Sequence, residues 1–161
     1  MKINMLQFIK YFFIFLLINF GGLALGAFWT NLGTASEWYE TMNMAPWTPP
    51  GWVFGFAWTT IGITYSLWGA YVMKNLNHGD NETPILYIES VVLNILWNPI
   101  FFGLHWLNMA GFILIALLVC LIVIAKHTRH MYGWKPTVLL LPYIIWLGIA
   151  NSLNWYIILN N

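Results

Sequence analysis

Charge is the scarcest feature of this sequence. Only 7% of its 161 residues are Asp, Glu, Lys or Arg, against roughly 25% in soluble domains. Such a chain cannot cover a folded surface with groups that water solvates. The charges nearly cancel, to a formal +1, which leaves no clustered basic face and excludes nucleic acid as a partner. Cysteine is almost absent too. Cys120 stands alone in an apolar run, so no intrachain disulfide exists, and it reads as a small packing or lipid-facing residue. The sequence holds no nucleophile–base pair, metal cluster or phosphate-cradling loop, which removes conventional hydrolytic and transfer chemistry. His127 and His130 lie three apart, but Lys126 and Arg129 flank them with no carboxylate or cysteine nearby in the chain. That is electrostatically poor for a metal, and none is assigned. His78, in the polar stretch 75–82, reads as solvated.

Hydrophobic residues make up 60% of the chain and the mean hydropathy is +0.70. The length is that of one domain, residues 1–161, and the class is integral membrane. Met1-Lys2 and the stretch Leu25-Gly26-Ala27 resemble parts of a signal peptide, but the apolar run from Phe12 to Trp29 is too long for one. It reads as a retained first span. A helix needs about 20 apolar residues to cross the hydrocarbon core. Runs at about 7–30, 51–73, 84–105, 109–127 and 136–158 qualify. The expected fold is an all-α integral membrane bundle of five transmembrane helices with a long, partly helical loop between helices 1 and 2. That topology gathers Lys2, Lys10, Lys74, Lys126, Arg129 and Lys135 on one side. The positive-inside rule then places the N-terminus in the cytoplasm and the C-terminus outside. Gly22 and Gly26 form a small-xxx-small face in the first run, open to packing within the chain or to a dimer seam.

The loop between the first two runs is the stiffest part of the sequence. Ala45-Pro46-Trp47-Thr48-Pro49-Pro50-Gly51 cannot lie inside a helix, because each proline fixes its own φ and biases the residue before it toward extended backbone. Thr48 before Pro49 has the pattern of an N-cap with proline at the first helical position. Thr34-Ala-Ser-Glu37 has the spacing of a capping box, predicting a short helix through Trp38, Tyr39 and Met42. That helix is either an interfacial float or a lid, and the proline turn favours a lid.

Polar and aromatic residues then recur at helical spacing. Trp58 and Tyr65 are seven apart. Asn94, Trp97, Asn98 and Phe101 lie at i, i+3, i+4 and i+7, and Tyr143, Trp146, Ala150 and Asn154 make a second stripe. Amides at membrane depth are expensive in lipid and face protein or a cavity. They serve either to hydrogen-bond helices together or to line a pocket, and their mixture with aromatics suits a pocket. Pro99 predicts a kink. Glu89 is expected to reach the interface. The fourth run reads as lipid-facing filler.

Taken together, Trp47-Thr-Pro-Pro-Gly51, Trp58, Leu93-Asn94-x-x-Trp97-x-Pro99-Ile-Phe-Phe-Gly103 and Leu141-Pro-Tyr143-x-x-Trp146-x-x-x-Ala150-x-x-Leu153-Asn154 resemble the TspO/MBR family, in order and spacing, across about residues 37–155. The resemblance implies a bacterial-type protein of the cell membrane, commonly a homodimer, with a pocket beneath the first loop. It implies binding of tetrapyrroles such as protoporphyrin IX and of benzodiazepine-type ligands, with no required cofactor, in the role of receptor or sensor with transport as an extension. Carried over by position, the pocket comprises Tyr39, Trp47, Pro49, Trp58, Asn94, Asn98, Phe101, Trp146 and Ala150, with Trp97 and Tyr143 at its edge. Some bacterial members are proposed to degrade porphyrin in light and oxygen; the reacting residues here would be Trp58 and Trp146. Two departures stand out. The mammalian sterol motif needs Lys or Arg after its tyrosine, whereas Leu153-Asn-Trp-Tyr156 runs to Asn161 with neither, which counts against cholesterol there. Asn98 stands where the family often has proline. No histidine or cysteine falls on the two stripes, which favours metal-free porphyrin over haem.

Overall fold

The computed structural model describes residues 5–76 and 79–161, so His78 lies outside the described residues. Its elements are α1 (Met5–Thr34), α2 (Glu37–Glu40), α3 (Gly51–Lys74), α4 (Glu82–Asn98), a π turn (Pro99–Gly103), α5 (Leu107–Tyr132), α6 (Trp134–Thr137), a 3₁₀ turn (Val138–Leu140) and α7 (Leu141–Asn160). The described residues contain no strand. Four segments are long and apolar enough to cross a membrane: Met5–Thr34, Glu82–Gly103, Leu107–Tyr132 and Trp134–Asn160. The 24-residue α3 has the length but not the apolarity, since its Gly, Thr, Tyr and Trp content dilutes the aliphatic residues.

The two helix starts expected in the first loop are each displaced by two residues. Thr34 stays inside α1, its Oγ1 donating back to the Thr30 carbonyl at 2.8 Å. Ser36 is the cap of α2, its Oγ accepting from the Tyr39 N–H at 3.3 Å. Likewise the Thr48 N–H closes a turn on the Ala45 carbonyl at 2.9 Å. Pro50 remains extended (φ −62°, ψ 151°) and α3 starts at Gly51. Thr34 is still inside α1 and Thr48 inside a turn, so neither stands at a helix start, which sequence spacing does not reveal.

One face of the fourth run is core, while Phe112, Ile115, Val119 and Val123 stay exposed on the other. Leu114, Leu117, Leu121 and Ile124 of α5 are almost fully buried, and they pack with Trp68, Leu140, Tyr143 and Leu147 from α3, the 3₁₀ turn and α7. The most lipid-exposed long helix is α1 instead, with Leu6, Leu17 and Leu25 pointing outward. An evenly aliphatic sequence serves lipid and core alike, so the pattern alone could not separate them. The Gly22/Gly26 face packs within the chain. At Gly26 a Cβ would stand 2.6 Å from Asn98 Nδ2, so the helices approach closely only because no side chain is there.

Cross-helix contacts define two ends. At the basic end, Lys74 Nζ lies 5.9 Å over the Phe8 ring, and Asp80 meets His127 and Tyr132. At the opposite end the loop 35–50 covers Phe101, Phe102 and Ile157.

Candidate functional site

The loop 35–50 is tied down at three places. Trp38 stacks on His105 at 3.8 Å and meets Phe101 edge-on at 5.7 Å. Across the loop, the Asn43 N–H donates to Asn161 Oδ1 at 2.8 Å while Asn161 Nδ2 donates to the Asn43 carbonyl at 3.3 Å. Trp47 Nε1 donates to Ser152 Oγ at 3.2 Å, with its ring edge-on to Tyr156. Met42 and Ala45 are buried and Pro49 is half-buried. Tyr39 lies tilted on Phe102, and burial pushes its phenol above the ordinary value. The segment therefore sits as a packed cover.

Below it, the residues of the Asn94 stripe face different neighbours. Trp97 stacks on Phe101 and donates from Nε1 to Asn154 Oδ1 of α7 at 3.2 Å. Asn98 Oδ1 accepts from Thr30 Oγ1 of α1 at 2.9 Å, and its Nδ2 donates to the Asn94 carbonyl. Pro99 cannot donate to the helix ladder, and the chain widens there until the Leu104 N–H reaches the Pro99 carbonyl at 2.9 Å. That turn aims Phe101 at the loop. Asn98 and Asn154 thus hold helices together, whereas the Asn94 side chain makes no hydrogen bond among the described residues. It lines a small cavity with Asn19, Trp58, Tyr65 and Tyr143.

That cavity has a volume of about 20 Å³, enough for one water-sized molecule. Trp58 meets Tyr143 edge-on at 6.0 Å across it. Trp146, buried, meets Phe54 edge-on at 5.2 Å, and Ala150 packs against the same core. The eleven expected binding residues therefore form three adjoining groups: Tyr39, Trp47, Pro49 and Phe101 at the cover; Trp58, Asn94 and Tyr143 at the cavity; Trp146 and Ala150 on α7 against α3. Trp97 packs against both core clusters and stands between the first two groups, while Asn98 is turned toward α1.

Sequence reasoning missed a polar network around the cavity. Tyr65 OH donates to Ser90 Oγ at 2.7 Å, and Ser90 Oγ donates on to the Tyr87 carbonyl. Tyr87 OH donates to Asn19 Oδ1 at 2.9 Å, and Asn19 Nδ2 donates to Ser66 Oγ at 2.9 Å. A lone amide, Asn19, inside the first apolar run was the available signal. His105 was missed as well. It is the one non-glycine described residue with positive φ (57°), a conformation set by the tight turn after Gly103.

A second constellation lies at the basic end. The buried Asp80 carboxylate accepts from the Thr83 N–H (3.0 Å), Thr83 Oγ1 (2.6 Å), Tyr132 OH (2.6 Å) and His127 Nε2 (3.1 Å). His127 Nδ1 lies 3.2 Å from Glu82. Burial alone would raise the Asp80 carboxyl, but these hydrogen bonds outweigh it and hold the group well below the usual carboxylate range. Folding thus brings His127 two carboxylates that the local sequence lacks. Among the described residues no group of three such side chains is arranged to hold a metal. Glu89 sits on the outer face of α4.

Comparison with known proteins places this geometry. The model of the TspO/MBR family matches residues 13–159. "Protein CrtK" of Rhodobacter capsulatus is 34% identical over 123 residues, 73% of this chain and 74% of the relative. "Tryptophan-rich sensory protein" of Cereibacter sphaeroides is 33% identical over 121 residues, 74% and 73% of the two chains. The human "Translocator protein" is 32% identical over 129 residues, 76% and 74%. With four helices long and apolar enough to cross a membrane and a match that runs almost end to end, the chain is an integral membrane protein and belongs to the TspO/MBR family.

Proposed function

We propose that this protein is a membrane receptor or sensor for tetrapyrroles such as protoporphyrin IX and for similar flat hydrophobic ligands. In this reading α3 crosses the membrane as a fifth span, the basic end faces the cytoplasm, and the chain pairs as a homodimer. The observation that carries the proposal is Asn94, an amide with no side-chain hydrogen bond among the described residues, lining a cavity with Trp58 and Tyr143, while the loop 35–50, clasped by side-chain contacts, covers Phe101 and Phe102 further along the same run. Aromatic faces stack on a porphyrin, each pair adding about 0.5–1.5 kcal/mol beyond area burial, and the amide hydrogen-bonds a pyrrole or propionate. A cavity of about 20 Å³ is far below the roughly 300–1,000 Å³ of a small-molecule site. Binding therefore requires the cover to lift and Trp58 and Tyr143 to part, which makes this conformation the closed one. Ligand occupancy and cover position are coupled, as a sensor requires.

The test is titration of the purified protein with protoporphyrin IX, followed by tryptophan fluorescence. Saturable quenching is expected, weakened in Trp146→Ala and Asn94→Leu. Absence of saturation rejects the proposal. A second reading, light- and oxygen-dependent degradation of bound porphyrin, draws on the ring series Trp58–Tyr143–Tyr65–Trp68, with successive centroids 6.0, 5.3 and 5.0 Å apart. Loss of the porphyrin absorption band under illumination, abolished in a Trp58→Phe, Trp146→Phe double variant, is its signature. An unchanged band rejects it.

A further inference from the structure

On the opposite half of the bundle from the cover, α1, α3 and α4 leave a groove between them. Its floor is Phe15, Trp68 and Tyr87, and its rims include Tyr11, Ile14 and Ile88. The groove holds about 270 Å³, more than ten times the volume of the cavity under the cover. From Tyr11 to Ile18 it runs along two turns of α1, about 10 Å at 1.5 Å per residue. It opens sideways, because Ile14 and Ile88 are 40% and 60% exposed, so its mouth faces the bilayer.

The end of the groove nearest the basic side differs chemically from the rest. Met73, which lines it, is followed by Lys74, whose Nζ stands over the Phe8 ring at 5.9 Å with no carboxylate partner among the described residues. Lys10 lies one turn before Ile14 on the same row of α1. The acids of this end are turned away: Asp80 is enclosed by Thr83, Tyr132 and His127, and Glu82 contacts His127 on the α5 side. Tyr11 lines the groove and its hydroxyl has no hydrogen-bond partner among the described residues. An apolar slot that ends at two cations and a free hydroxyl has the two-part chemistry of a phospholipid site.

We infer that this groove is a specific site for an anionic glycerophospholipid of the surrounding leaflet, one acyl chain lying against Phe15, Trp68 and Tyr87 and the phosphate headgroup at Lys74 and Lys10. The groove adjoins the small cavity at Ile18, which lines both, and extends from there toward the basic end. Lipid seated here cements α1, the most exposed long helix, to α3 and α4.

The experiment is native mass spectrometry of the full-length protein extracted from bilayers containing equal phosphatidylglycerol and phosphatidylcholine. One retained phosphatidylglycerol per chain is expected. Lys74→Gln should cut the preference for phosphatidylglycerol about fivefold, the worth of one basic side chain at an anionic surface. Lys135→Gln, at the same end but away from the groove, should leave it unchanged. Filling the mouth with Ile14→Trp and Ile88→Trp, both lipid-facing and so tolerant of size, should remove the retained lipid of either headgroup. Equal retention of the two lipids by the unmodified protein overturns the inference, as does an unchanged preference in Lys74→Gln. Should the filled variant keep its lipid but change from dimer to monomer, the groove belongs to a second copy of the chain and the inference is overturned.

Discussion

The indole of Trp38 lies on the imidazole of His105 at 3.8 Å with the planes 14° apart, and His105 reaches that position only by adopting φ 57°. The cover over the aromatic cluster is thus held by a residue in a costly backbone conformation. Left-handed backbone costs an L-residue about 1–2 kcal/mol, and an aromatic stack returns about 0.5–1.5 kcal/mol. The two terms nearly cancel, so the latch closes the cover without locking it.

This balance sets apart two substitutions at one position. His105→Ala loses the stack and keeps the strain, and should lower thermal stability by about 1 kcal/mol. His105→Gly loses the stack but relieves the strain, and should melt near the unmodified protein. Both should raise amide exchange across residues 36–50. Equal melting of the two variants would show that the turn carries no strain.

The second tie acts through backbone rather than rings. Asn161 pairs with both the N–H and the carbonyl of Asn43, so the end of α7 and the middle of the cover move together. Relaxing the proline turn with Pro49→Gly and Pro50→Gly frees the chain between Asn43 and α3 and leaves the helix contacts intact. Porphyrin affinity should fall by more than tenfold as the loop gains conformational entropy, about 1 kcal/mol for each of the two residues freed, with little change in melting temperature. Equal loss of affinity and stability would make the loop scaffold rather than cover.

Trp97 separates packing from hydrogen bonding. Its Nε1–H satisfies Asn154 Oδ1 at 3.2 Å, and Asn154 is only 2% exposed. Trp97→Phe keeps an aromatic ring beside Phe101 but leaves that acceptor unpaired. The cost in detergent-solubilised protein should be about 1–3 kcal/mol if the acceptor stays dry, and nearer 0.6 kcal/mol if another donor reaches it, the average for membrane helix bonds. The melting temperature decides between them.

How much of this was legible in the chain depends on what each feature rests on. The membrane class follows from composition, and the cover follows from three prolines in seven residues, because proline restricts backbone wherever it occurs. The candidate site residues were legible as stripes, since helical spacing survives folding. Which neighbour each stripe residue meets was not. Asn94 and Asn98 are one turn apart, yet one lines a cavity and the other bonds Thr30, a difference set by how α1 crosses α4. The burial of α5 was hidden for a similar reason: in a bilayer, lipid and core demand the same side chains. Most hidden of all was the site around Asp80, whose partners lie 3, 47 and 52 positions away in sequence.

Asp80 also gives the protein an acid sensitivity whose sign can be worked out. Its carboxyl is held below the usual carboxylate range in the folded protein, while the unfolded chain has the ordinary value near 3.9. Between those values the unfolded state binds more protons, so stability rises with pH. The contribution is complete above about pH 5 and is lost as pH falls below about 4 toward the folded value. Asp80→Asn removes the charge while keeping the shape, leaving Tyr132 and His127 with a weaker acceptor. At neutral pH the variant should be less stable by about 1.5–3 kcal/mol, the range for hydrogen bonds to a charged group. As pH is lowered from 6 to 3 the unmodified protein should lose stability faster than the variant, and the two melting curves should converge. Parallel curves over that range would mean that the carboxylate is not what holds the start of α4 to the end of α5.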